Sequence, residues 1–248
     1  MRGRWEARVA VGLLLLVGCA TTDPGRRSPK SHYEIGQALL ASGDARAAIR
    51  EFSKAVEGEP REPRFHFTLG QAFLLVKELE LAAKALERAI DLNPRFSDAR
   101  HLLGAVYLLQ GKLGEAEREF LGALADPVFT QVADAYVNLA KIARKRNRLD
   151  ETLTYLQKAV DISPENVLAH NDLGLLYLER RQYALAVQEF RKALQLVPDR
   201  PILLWNLGLA HFQAGDMQEA RAILRRVVEV QPTGLYAEQA RRLLERLQ

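Results

Sequence analysis

The 248-residue chain has one cysteine, two methionines and two tryptophans, and few prolines (10) or glycines (16). A single cysteine cannot build an internal disulfide framework, and so little proline and glycine excludes collagen-like and low-complexity chains. Stability therefore has to come from packing. A dominant charge is lacking too: 35 Lys and Arg stand against 31 Asp and Glu, for a formal net charge of +4. That near balance gives no electrostatic ground for a nucleic-acid partner, although the isoelectric point is about 9.2. With 48% hydrophobic and 27% charged residues, the chain as a whole is not disordered. Catalytic motifs are missing as well. There is no His-Glu-x-x-His and no Gly-x-Ser-x-Gly, and Gly104, Gly111 and Lys112 have neither the spacing nor the Ser/Thr of a phosphate loop.

Long apolar runs are absent beyond residues 9–17, which follow Arg2, Arg4 and Arg8. Nine residues are too few to span a bilayer, which takes about 20, so the run is expected to be the apolar region of a signal peptide covering residues 1–18. It ends in Leu16-Val17-Gly18-Cys19, which resembles the lipobox of bacterial lipoproteins. The resemblance implies that the Cys19 thiol takes a diacylglyceryl group and becomes the first residue of the mature chain. A thiolate suits that nucleophilic role, and the small Gly18 leaves the bond open to a peptidase. Removing the signal peptide lowers the formal net charge from +4 to +2. Residues 19–28 are polar, carry Pro24 and Gly25 and show no apolar period, as expected of a short flexible tether. Ala20 is not the Asp that retains many enteric lipoproteins in the inner membrane, so the expected address is the outer membrane, lipid-anchored and facing the periplasm.

Beyond the tether the chain repeats itself. Ile35-Gly36, Leu69-Gly70, Leu103-Gly104, Leu139-Ala140, Leu173-Gly174 and Leu207-Gly208 are spaced by 34, 34, 36, 34 and 34 residues. Each is followed at fixed distance by Ala48, Ala82, Ala116, Thr152, Ala186 or Ala220, and then by Ala55, Ala89, Ala123, Ala159, Ala193 or Val227. Pro60, Pro94, Pro164, Pro198 and Pro232 close the repeats, with Pro127 one place early in the third. This is the tetratricopeptide (TPR) period. Two antiparallel helices approach closely only where side chains are small, which explains the Gly and Ala positions. Gly43, Gly111, Asn147 and Gly215 share the position where the chain must turn between them.

The pattern predicts an all-α TPR solenoid of six helix-turn-helix repeats, at 29–62, 63–96, 97–132, 133–166, 167–200 and 201–234, with a capping helix at 235–248. Two extra residues within 125–132 predict either a change of superhelical pitch or a neutral surface insertion. The five basic residues of 141–148 fit either a phosphate-binding patch or cations at a helix C-terminus beside a solvated turn. His32, His66 and His170 fall at one repeat position, so they are spread along the stack and are expected in packing or surface roles. No catalytic residue, metal site or cofactor is expected.

In the TPR family the first helices line a concave groove, chiefly at repeat positions 2, 5, 9, 12 and 13. Carried onto this chain, the resemblance assigns partner binding to Tyr33, Leu40, Phe67, Gln71, Leu74, Leu108, Leu175, Leu178, Trp205, Leu209 and Phe212, with Leu75 and Leu109 beside them. Repeat four breaks this apolar row with Lys141, Arg144 and Lys145. Such rows suit an amphipathic segment with apolar anchors.

A short exported lipoprotein built of six TPRs resembles the type IV pilus biogenesis and stability lipoproteins, the PilF/PilW family of pilotins. The resemblance implies a non-catalytic monomer that binds the pilus secretin, or another protein partner, through the groove and promotes outer-membrane multimer assembly. Two other roles fit the same residues: an adaptor for peptidoglycan hydrolases or proteases, and a structural subunit of an outer-membrane assembly or export machine.

Overall fold

In a computed structural model, residues 27–247 are described; the signal peptide, Cys19 and the tether up to residue 26 lie outside them. Thirteen α-helices and no strand occur among the described residues. They form six antiparallel pairs: α1 (Pro29–Ala41) with α2 (Ala45–Gly58), α3 (Pro63–Leu75) with α4 (Leu79–Leu92), α5 (Ser97–Leu109) with α6 (Leu113–Leu124), α7 (Val132–Lys145) with α8 (Leu149–Ile162), α9 (Val167–Glu179) with α10 (Tyr183–Leu196), and α11 (Pro201–Ala214) with α12 (Met217–Val230). A single helix, α13 (Leu235–Glu245), follows.

Local chemistry sets the helix ends. Pro29, Pro63 and Pro201 open their helices, where a missing N–H costs nothing. Ser28, Asp44 and Asn166 accept hydrogen bonds from the backbone N–H of Ser31, Ala47 and Ala169 at 3.1, 2.9 and 3.0 Å. Five second helices stop two residues before Pro60, Pro94, Pro164, Pro198 and Pro232, because the residue ahead of a proline is driven out of the helical region. Between the helices of each pair one residue adopts positive φ. It is Gly at 43, 111 and 215 and Asn at 147, but Lys77 (φ 64°) and Arg181 (φ 58°) take the same strained conformation in repeats two and five.

The small-residue positions hold the pairs together. A Cβ added to Gly36, Gly104 or Gly174 would lie 2.6, 2.9 or 2.5 Å from the ring of Phe52, Phe120 or Phe190, too close for any real contact. Those three rings and their equivalents Leu86, Leu156 and Leu224 are fully buried beside the paired alanines. Thr152, which replaces one alanine, is buried and returns its hydroxyl to the Arg148 carbonyl at 2.9 Å.

The histidines act within the same pairs. His32 Nδ1 lies 2.6 Å from Glu51 Oε2 and His170 Nδ1 2.6 Å from Glu189 Oε2; in repeat three Arg100 reaches Glu119 at 2.8 Å in the equivalent place. The far side of this position meets the closing proline of the preceding repeat. His66 Nε2 is 2.9 Å from the Pro60 carbonyl, His170 Nε2 2.8 Å from that of Pro164, and Arg100 donates to that of Pro94 at 3.2 Å. Repeat four substitutes a stacked Tyr136–Tyr155 pair, with centroids 6.0 Å apart. These side chains fasten a repeat internally and to its predecessor.

The insertion is not a neutral surface loop. Seven residues, 125–131, join α6 to α7, against four at the other junctions between repeats. Their Phe129 is only 5% exposed and packs with Phe120, Ala135 and Leu139, its ring 5.5 Å from that of His101. The extra length feeds an additional side chain into the core between repeats three and four. It also lets α7 begin at Val132, one residue before the repeat boundary read from the spacing.

Candidate protein-binding groove

First helices of neighbouring repeats approach one another from α3 to α11, whereas second helices make no comparable approach. The stack therefore curves, with first helices inside. The eleven residues assigned to the groove all lie on these helices, and every one is half-buried.

Their free surface differs along the groove. The Tyr33 ring stacks on Phe65 with centroids 4.9 Å apart, and its hydroxyl accepts from Gln37 at 3.0 Å. Phe67 lies 4.9 Å from the Phe96 ring and packs on the core of repeats two and three, as does Leu74. Both rings are thus already engaged in joining repeats, and they are walls rather than open anchors. Leu40 and Leu108 likewise pack on buried alanines. The open apolar surface of this half comes from Leu75 and Leu109, 63% and 64% exposed, which stand at the same position of adjacent repeats. Further along, Leu175 and Leu178 are half-buried against repeat five, while Leu168 and Ile202 are 56% and 36% exposed.

The basic stretch separates the two apolar halves but does not converge on one point. Arg144 pairs with Glu179 at 3.1 Å, Arg146 with Glu117, and Arg148 with Glu151 at 3.3 Å, so these three cations are directed to three different helices. A phosphate site would need them gathered. Beside them, Asp172 is held above the ordinary carboxylate range by burial, an effect Lys141, the Asn171 side chain and Arg144 oppose. Asn206, buried, donates to Asn171 at 2.8 Å and continues this polar strip into repeat six. The centre of the groove is therefore polar and internally paired.

No group of three or more His, Cys, Asp or Glu among the described residues is arranged to hold a metal ion, and no described helix is long and apolar enough to cross a membrane.

Tetratricopeptide-repeat family models match residues 33–86 and 171–234, 131–199, and 85–118. The chain belongs to the tetratricopeptide-repeat family. Among curated relatives of this TPR protein, the type IV pilus assembly protein PilF of Pseudomonas aeruginosa is 28% identical over 111 residues, covering 45% of the chain and 43% of PilF. Human tetratricopeptide repeat protein 13 is 30% identical over 87 residues, 35% of the chain but 10% of that relative. The matched segments thus span less than half of these relatives' own lengths. Among solved structures, PilW, described as a widely conserved type IV pilus biogenesis factor, superposes with a TM-score of 0.79 at 16% identity, over 85% of this chain and 97% of PilW. Pseudomonas aeruginosa PilF gives 0.75 at 18% identity, over 85% and 95%. YrrB, described as a TPR protein with an unusual peptide-binding site, gives 0.58 at 22% identity, over 77% and 97%. At these identities the superpositions establish the fold. TPR proteins are in general non-catalytic interaction scaffolds, and no enzyme family is indicated.

Two contributions escaped the sequence reading. Phe129 was hidden in a loop, with no repeat position to flag it. The TPR cap α13 also completes the inner face: Ala237, Ala240, Leu243 and Leu247 are buried, and Trp205, Leu209 and Phe212 pack against this cluster. Its signal was present, because the 34-residue step from Trp205, Leu209 and Phe212 lands on Gln239, Leu243 and Arg246. The same step from Gly208 lands on Arg242, where no second helix follows to demand a small residue.

Proposed function

We propose that this TPR protein is a non-catalytic pilotin: an outer-membrane lipoprotein, anchored through Cys19, that binds the type IV pilus secretin and promotes its localisation and multimer assembly. The observation that carries the reading is the fold shared with PilW over nearly the whole of PilW, together with the similarity to PilF. The lipobox and the exposed Leu75 and Leu109 on the inner face support it. The mechanism requires no chemistry on the partner. A diacylglyceryl group supplies two acyl chains, the number that stable anchoring takes, and the short tether keeps the groove beside the membrane. Docking an apolar segment of an unassembled subunit there holds it where neighbours accumulate, before its unpaired strand edges aggregate.

Deleting the gene should reduce heat- and detergent-resistant secretin multimers in the outer membrane and abolish surface pili. Cys19→Ser should remove fatty-acid labelling and release the protein from the outer-membrane fraction. Normal multimers with normal twitching motility in the deletion strain would sink the proposal and leave the adaptor role in its place.

A further inference from the structure

At the C-terminal end of the inner face, α11 and α13 enclose a notch of about 370 Å³. Trp205, Leu209, Phe212 and Leu243 make its floor, while Arg242 and Arg246 line it with no acidic residue among its walls. The Arg246 guanidinium lies 5.7 Å from the centre of the Phe212 ring, over an aromatic face that holds it without neutralising it. Other arginines nearby are committed elsewhere: Arg226 to Asp199 and Glu229, Arg241 to the Pro232 carbonyl, and Arg221 to the Leu247 carbonyl. Neither Arg242 nor Arg246 has a hydrogen-bonded or ion-paired partner among the described residues. An apolar floor and two cations without a partner among the described residues thus line the same space.

We infer that this notch binds a protein segment presenting a bulky apolar side chain next to an Asp or Glu side chain. The apolar side chain covers Trp205 and Phe212, and the carboxylate pairs with Arg242 and Arg246. An internal acidic residue fits better than a chain terminus, because Trp205, Leu209 and Phe212 continue the row of Leu175 and Leu178, so that a segment lying in the groove runs through the notch. The inference goes beyond the pilus reading, since it concerns peptide chemistry at one end of the groove whichever partner carries it.

The test titrates the full-length protein with a short synthetic peptide containing one Phe and two neighbouring Glu, read by tryptophan emission, because Trp205 forms the floor of the site. Saturable binding is expected, weakened roughly tenfold or more by replacing the peptide's Phe with Ala or its Glu with Lys. Arg242 and Arg246 are exposed, so the double variant Arg242→Glu/Arg246→Glu should stay folded, with its melting temperature lowered only by the lost Arg246–Phe212 contact and the reversed charge at the end of α13. It should lose the acidic peptide by a similar factor and gain the Lys peptide. Equal binding of all three peptides by the unmodified protein, or undiminished binding of the acidic peptide by the double variant, would overturn the inference. So would single-stranded DNA competing at the site, or a concentration-dependent dimer that the double variant abolishes. Neither membranes nor secretin enter this assay, so its failure leaves the pilotin proposal standing, and normal pili in the deletion strain leave the notch inference standing.

Discussion

Charging the open leucines of the N-terminal half, Leu75→Glu with Leu109→Glu, should abolish partner capture while leaving the solenoid folded. Both side chains are about two thirds exposed. Full burial of a leucine contributes about 1.5–3 kcal/mol, so covering the exposed part contributes about 1–2 kcal/mol at each position. Losing both weakens a partner that lies across them by about 2–4 kcal/mol, at least thirtyfold in affinity, and burying the new carboxylates adds to the loss. Neither leucine belongs to the buried core, so stability should move by about 0.5 kcal/mol or less. Phe67 would be a poorer probe, because it packs on Phe96 and the core of repeats two and three, and truncating it would cost about 3 kcal/mol of stability whether or not a partner binds. The assay is secretin recovered with the purified protein from detergent-solubilised envelopes, beside thermal melts by circular dichroism. An unchanged melt with undiminished secretin recovery would refute the assignment of this half of the groove to the partner.

Lys77→Gly and Arg181→Gly should each stabilise the protein by about 0.5–1 kcal/mol in chemical denaturation, since both residues are exposed and held at positive φ where three other repeats use glycine; Gly111→Lys should do the reverse. Phe129→Ala should cost about 3 kcal/mol and separate the unfolding of repeats one to three from that of four to six, visible as a second transition in denaturant. Asp172→Asn should stabilise the protein at neutral pH. Its carboxyl is raised above 3.8 in the fold, so the folded state binds the proton more tightly, and stability rises as pH falls through the folded value. The advantage of the Asn variant in melting temperature should therefore shrink as the pH falls toward the ordinary value of 3.8.

The spacing of Gly, Ala and Pro at 34 residues was enough to specify the helix pairs and their turns, and the inward direction of the first helices came from the TPR resemblance that this spacing carries. Each of those features rests on contacts within one repeat or with the next one, and such contacts recur in the sequence at fixed distance. The particular side chains that fill each junction do not all recur in that way, and they decided what the inner face offers. Tyr33 and Phe67 look like free anchors in the sequence, but Phe65 of the following repeat and Phe96 at the junction before α5 cover part of each ring. The basic residues of 141–148 form one run along the chain, whereas the end of α7 and the turn after it send Arg144, Arg146 and Arg148 to carboxylates on three different helices. Phe129 is buried only because the longer junction after α6 folds back over His101. Arg242 and Arg246 lie near the end of the chain, and only the docking of α13 on α11 brings their charge to the apolar floor of Trp205 and Phe212.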